Sequence, residues 1–234
     1  MTDLSAPAVE ITYDETTMQR LPVDVEHTGI RVVVPALAFG TLLLVLWGGP
    51  VLLNLLNLSD TFLRGVLLPL AIIGAIVVAF ASDTLLKQKW TSGRELLVDD
   101  RYLIFRERKQ PDHIILWTER INVLAWRFTV ARRGRVPKGH YCLAVQLLQD
   151  DRQITAYTFY DPKHFDQLLA GDAFTPLAPR SSLDDERLNL RVAGQQRRLF
   201  QAENERWREG AELTSDHFVE LWQIVQGQQK ATQE

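Results

Sequence analysis

The chain has 234 residues, 46% of them hydrophobic and 24% charged, with a formal net charge of −3 at pH 7. A mildly acidic balance argues against a generally basic nucleic-acid-coating protein, and a single cysteine, Cys142, excludes an intrachain disulfide framework. These averages would suit one or two soluble domains, but the apolar residues are not spread evenly.

Residues 1–30 form an acidic arm carrying Asp3, Glu10, Asp14, Glu15, Asp24 and Glu26. It has neither the basic start nor the early apolar run of a signal peptide, and its composition predicts an extended or disordered segment. Two runs then lack any ionisable side chain, Val32 to Leu58 and Gly65 to Ser82. A spanning helix needs about 20 mainly apolar residues. The predicted unit is therefore a two-helix transmembrane hairpin over 31–86, turning within Ser59–Arg64. The second run reaches full length only if Thr61–Leu63 or Leu85–Leu86 extend it. The first exceeds the bilayer core and must tilt or break, and "WGGP" at Trp47–Pro50 is the expected break.

Two crossings put both ends of the chain on one side. Arg20 and Arg31 precede the hairpin, Lys87, Lys89, Arg94 and Arg101 follow it, and only Arg64 lies in the turn. That bias predicts both termini in the cytoplasm, on a multi-pass protein of the cell (inner) membrane. Lys87, Lys89 and Trp90 are the expected interfacial anchors.

Past Trp90 the apolar period becomes two. "ELLVDDRYLIFRER" reads as strand, turn, strand, and "HIILWTE" follows a Gln110-Pro111-Asp112 breaker as a third strand. In "VLAWRFTV", Leu124, Trp126, Phe128 and Val130 alternate with Ala125, Arg127 and Thr129, which predicts a sheet with one face buried. "HYCLAVQLL" and "QITAYTFY" flank a turn at Asp150–Arg152. "YDPKHFDQLLAG" then supplies Asp161 as N-cap, Pro162 at the first helical position and Gly171 as a closing residue, with Phe165, Leu168 and Leu169 on one face. Cys142 falls in a strand and is expected to be an inert thiol.

This order of elements resembles the membrane-anchored bacterial PH-like (bPH) domain families. The segment Leu116–Val123 stands where those families carry an "I-aromatic-x-x-I-x-x-V" segment, and "YDPKHFDQLL" resembles their closing "D-P-x-x-F-x-x-L-L" helix. The resemblance covers about Val32 to Gly171. It implies a cytoplasmic PH-like antiparallel β-barrel over 90–176 with a C-terminal capping helix, non-enzymatic, in a protein of assembly, scaffolding or membrane-protein regulation. The overall expectation is an α+β membrane protein.

The loop "ARRGRVPKGH" places Arg132, Arg133, Arg135 and Lys138 together. Anionic lipid attracts each such cation by about 1 kcal/mol near the surface. These four residues are the expected contact with anionic lipid or a partner, against the alternative of a solvated hairpin tip. A charged helical tail over 181–227 follows, opening with an Ser182/Asp185 capping arrangement and carrying a thin stripe of Leu188, Val192, Leu199 and either Trp207 or Ala211. In its last part Phe218, Leu221, Trp222 and Val225 form a compact docking face. Two readings stay open for it: docking on the chain's own domain, or on another protein. Residues 228–234 are expected to be a disordered end.

Nothing in the sequence gathers a catalytic or metal-binding set. The five histidines are dispersed, and no phosphate-cradling, dinucleotide or nucleophile-elbow motif is present. The expectation is no catalytic residue, no cofactor and no metal. The partners expected are the lipid bilayer and another membrane protein or complex, with self-association open and no nucleic acid. The leading function is an adaptor or scaffold. The alternatives are an accessory subunit of a transporter or membrane enzyme and, last, an independent membrane hydrolase.

Overall fold

The computed structural model describes residues 18–25, 27–56, 61–108, 110–131, 136–168, 173–179 and 190–231. It divides into two compact units, Asp24–Gly93 and a second made of Met1–Val23 with Arg94–Glu234.

The first unit is the helical hairpin. Helix α1 runs Thr28–Leu55 and α2 runs Thr61–Lys89. At 28 and 29 residues they are about 42 Å long, more than the ~30 Å of a hydrocarbon core. Both are long and apolar enough to cross a membrane. They are not core helices of a soluble fold, because Leu44, Trp47 and Phe80 are 72%, 75% and 73% exposed. The expected break at Trp47–Pro50 does not interrupt α1, which continues through Pro35 and Pro50. The second span is extended at both ends, as its borderline length required. The helices meet over small residues: Ala71 is fully buried, and a Cβ at Gly49 would come within 2.8 Å of Leu67 Cδ2.

The second unit contains two sheets. Strands β1 (Gln19–Pro22), β2 (Arg94–Val98), β3 (Tyr102–Glu107) and β4 (His113–Leu116) form the first, in that order and antiparallel throughout. Strands β5 (Asn122–Thr129), β6 (Tyr141–Gln149) and β7 (Arg152–Tyr160) form the centre of the second. It is widened by two-residue parallel strands, β8 (Thr175–Pro176) on β5 and β9 (Ala211–Glu212) on β7. Helices α3 (Pro162–Leu168), α4 (Leu190–Glu209) and α5 (Ser215–Ala231) complete it.

Several expectations are corrected here. The acidic arm is not wholly unstructured: Gln19–Pro22 is a strand, with Leu21 fully buried opposite Leu96. The strands do not close into a barrel. Among the described residues the two sheets pack face to face and are tied at one corner by a side chain, where Gln149 accepts from Leu116 N at 2.8 Å and donates to Leu116 O at 2.9 Å. Nor is only one face of the second sheet buried. Ala125, Leu143 and Val145 face the core between the sheets, while Trp126 and Ala144 on the opposite face lie under Leu199 and Ala202 of α4. The segment expected to end in disorder is helical to Ala231.

The capping role is shared. Asp161 does cap α3, accepting from Lys163 N at 3.0 Å, and Phe165 is buried edge-on to Tyr141. Leu169 and Gly171 lie outside the described residues. The larger plug is α5, which buries Phe218, Leu221, Trp222 and Val225 in the same core, with Phe174 and Trp222 ring centroids 4.7 Å apart.

Candidate functional site

Of the four cations predicted to form a contact loop, Arg132, Arg133 and Arg135 lie outside the described residues. Lys138 is exposed, two residues past the buried Val136. It lines a groove of about 640 Å³ together with Phe128, Thr129, Val130 and Ala131 at the end of β5, Phe159 of β7, and Glu203, Arg206 and Trp207 of α4.

The floor of this groove is a polar contact that sequence reasoning missed. Arg206 is only 4% exposed. Its Nε and Nη2 donate to Glu203 Oε2 and Oε1 at 2.8 and 2.6 Å, a bidentate pair one helical turn apart. Trp126 Nε1 donates to the same Glu203 Oε2 at 3.0 Å. The guanidinium also lies over the Tyr157 ring, 4.5 Å from its centroid. Burial works against the Arg206 charge, but the hydrogen bonds to Glu203, with the charges of Cys142, Glu203 and Tyr157, outweigh it and hold the guanidinium above its ordinary pKa. Gln146 Nε2 donates to Glu205 at 2.7 Å, and Tyr157 Oη to Glu212 at 3.1 Å. The bonds of Trp126 to Glu203 and of Gln146 to Glu205 pin α4 to the sheet, while that of Tyr157 to Glu212 ties β9 to β7.

The stripe predicted for this helix is therefore only partly right. Leu199 is buried, but Val192 is 42% exposed and Trp207 is 74% exposed; Ala211 is buried in β9, and Leu188 lies outside the described residues. Among the described side chains of α4 the buried positions are Gln196, Leu199, Ala202 and Arg206, two of them polar. Only their spacing of three, three and four could have signalled a docked face.

At the base of the hairpin, the predicted anchors occupy the end of α2. Lys87 Nζ lies 2.8 Å from Asp83 Oδ2, and Lys89 and Trp90 are exposed. Trp90 also closes the hairpin. His27 caps α1, with Nδ1 accepting from Gly29 N at 3.1 Å, so its Nε2 carries the proton and donates to Trp90 O at 3.1 Å. The two rings meet edge to face at 5.0 Å.

The predicted docking face Phe218, Leu221, Trp222 and Val225 is buried in the chain's own domain. Of the two readings open for it, the structure has the first. Among the described residues no group of three or more His, Cys, Asp or Glu side chains could hold a metal ion. Cys142 is fully buried. Comparison with protein-family models, curated proteins and solved structures yields no match to the chain.

Proposed function

We propose that the protein is a non-catalytic membrane adaptor of the bacterial PH-like kind it resembles. It holds its α+β domain on the cytoplasmic face of the cell membrane, where the domain binds or stabilises a membrane protein complex. One observation carries this reading: the register of β1 on β2. Pro22 pairs with Glu95, so the strands on either side of the hairpin are neighbours in one sheet. Only residues 23–27 and 90–93 separate them from the two helices. Such a domain is tethered twice, and both tethers must lie on one side of any membrane that the hairpin crosses. The lysine and arginine bias around the spans favours the cytoplasmic side.

A double tether suits a recognition module, because it keeps a binding surface at high local concentration beside membrane partners. The surface assigned to that role carries Arg132, Arg133, Arg135 and Lys138. A second reading, an accessory subunit of a transporter or membrane enzyme, is favoured by the lipid-exposed glycines Gly40 and Gly48. They have open space where a Cβ would stand and would admit another helix closely.

Purification of the full chain from native membranes in mild detergent separates these readings. The adaptor should bring down several substoichiometric membrane proteins, fewer when the four cations are changed to serine. Stoichiometric recovery with one large complex would favour the subunit reading. Substrate turnover by the pure chain would end the non-catalytic account.

A further inference from the structure

We infer that the end of the domain carrying Trp207 and Lys138 is a lipid-contacting face that seats Trp207 among the headgroups of an anionic leaflet. The inference rests on the membrane anchoring proposed above and names what the domain's surface meets there.

Three observations converge on it. The first is the exposure of Trp207, 74%, beside an Arg206 that is 4% exposed. The last turn of α4 thus buries Arg206 and presents the indole of Trp207. A large ring with one polar edge is poorly placed in water and well placed in the headgroup zone.

The second is charge. The groove beside the indole has aromatic walls, Phe128 and Phe159, and Lys138 at its rim. Its one acid, Glu203, is already engaged by Arg206 and Trp126. What remains open to an approaching surface is apolar and cationic, which complements phosphate headgroups above acyl chains. A peptide partner rich in acids would meet the cation but would leave the aromatic rim unmatched.

The third is position. Arg94 is the residue at which the chain enters the domain from residues 90–93. Its Nη2 donates to Glu209 O at 2.6 Å and its Nη1 to Gly210 O at 3.4 Å. Trp207 belongs to the same last turn of α4, so the indole sits at the end of the domain where the tether arrives. Residues 90–93 span at most about 14 Å when fully extended. With α2 in a bilayer, a tether this short lets the Trp207 end reach the headgroups. By contrast, Glu119 lines a separate groove with Val225, Gln228 and Gln229, toward the far end of α5 and about 15–21 Å along that helix from Ser215.

The test uses the full chain in vesicles of phosphatidylcholine and phosphatidylglycerol containing a spin-labelled lipid quencher near the headgroup. A fluorophore is attached after Thr129→Cys, at an exposed groove position that leaves Trp207 and Lys138 intact. Parallel samples use Glu119→Cys and, on α2, Phe80→Cys; the unmodified chain, whose Cys142 is buried, gives the background. Quenching at 129 should exceed that at 119 about twofold or more, and Lys138→Ser should weaken the contact equilibrium about fivefold. Trp207→Ser should bring position 129 down to the level of 119. Equal quenching at 129 and 119, with position 80 strongly quenched, would overturn this inference and leave the anchor standing. No quenching at position 80 would overturn the anchor and the inference together.

Discussion

At the scale of single residues, the most consequential choice is a charged pair placed where an apolar contact would be expected. Arg206 and Glu203 sit between α4 and the sheet, with side chains 4% and 17% exposed. Removing one partner of a fully buried pair costs about 3–5 kcal/mol; because Glu203 keeps some solvent, about 2 kcal/mol is the better figure here. Arg206→Met should therefore lower Tm by about 4–8 °C in detergent, whereas Arg208→Met, at an exposed neighbouring site, should shift it by about 1 °C or less. Asp161 gives a second residue-scale test. Its hydrogen bond from Lys163 N lowers its pKa below 3.8, opposed by desolvation, and the nearby His140, Lys163 and His164 lower it further. A carboxyl with a depressed folded pKa contributes stability above its unfolded value and loses it as pH falls through the folded value. Asp161→Asn still caps the helix, so it should change little at pH 7 and flatten the decline in Tm below about pH 4.

At the scale of elements, α5 decides what the domain is. Phe218 and Leu221 are fully buried, and Trp222 lies against Phe174. Truncating a buried tryptophan costs about 3–5 kcal/mol, so Trp222→Ala should lower Tm by about 6 °C or more in the full chain. A face reserved for another protein would leave Tm where it was. The same elements show how far the sequence could be read. Strands β2 to β7 were visible because each alternates or runs apolar between clear turns, such as Asp150, which adopts a φ of +53°. The apolar face of α5 was visible for the same reason, though not what it covers. Strand β1 was hidden, since four residues in an acidic arm carry almost no local signal and its partner lies far along the chain, Leu21 against Leu96. The second buried face of the sheet was hidden because α4 meets it with Gln196 and Arg206, residues that pattern alone assigns to solvent. In the candidate site, Lys138 was legible from a cluster of cations. Trp207 could not be recognised as exposed until the orientation of α4 was known.

At the scale of the whole molecule, the hairpin is an insertion between two paired strands. Antiparallel pairing of β1 with β2 needs the chain to leave and re-enter the sheet at one edge, and two helices of nearly equal length accomplish this return. The domain thus depends on residues from both sides of the hairpin. Contact of His27 with Trp90 closes the hairpin's own base. The most direct test is the sidedness of three single cysteines, Gln19→Cys, Ser59→Cys and Gln223→Cys, toward a membrane-impermeant maleimide in intact cells and after permeabilisation. Position 59 should label in intact cells, while 19 and 223 should label only after permeabilisation. Labelling of all three from the same side would contradict a membrane-spanning hairpin set into a one-sided domain.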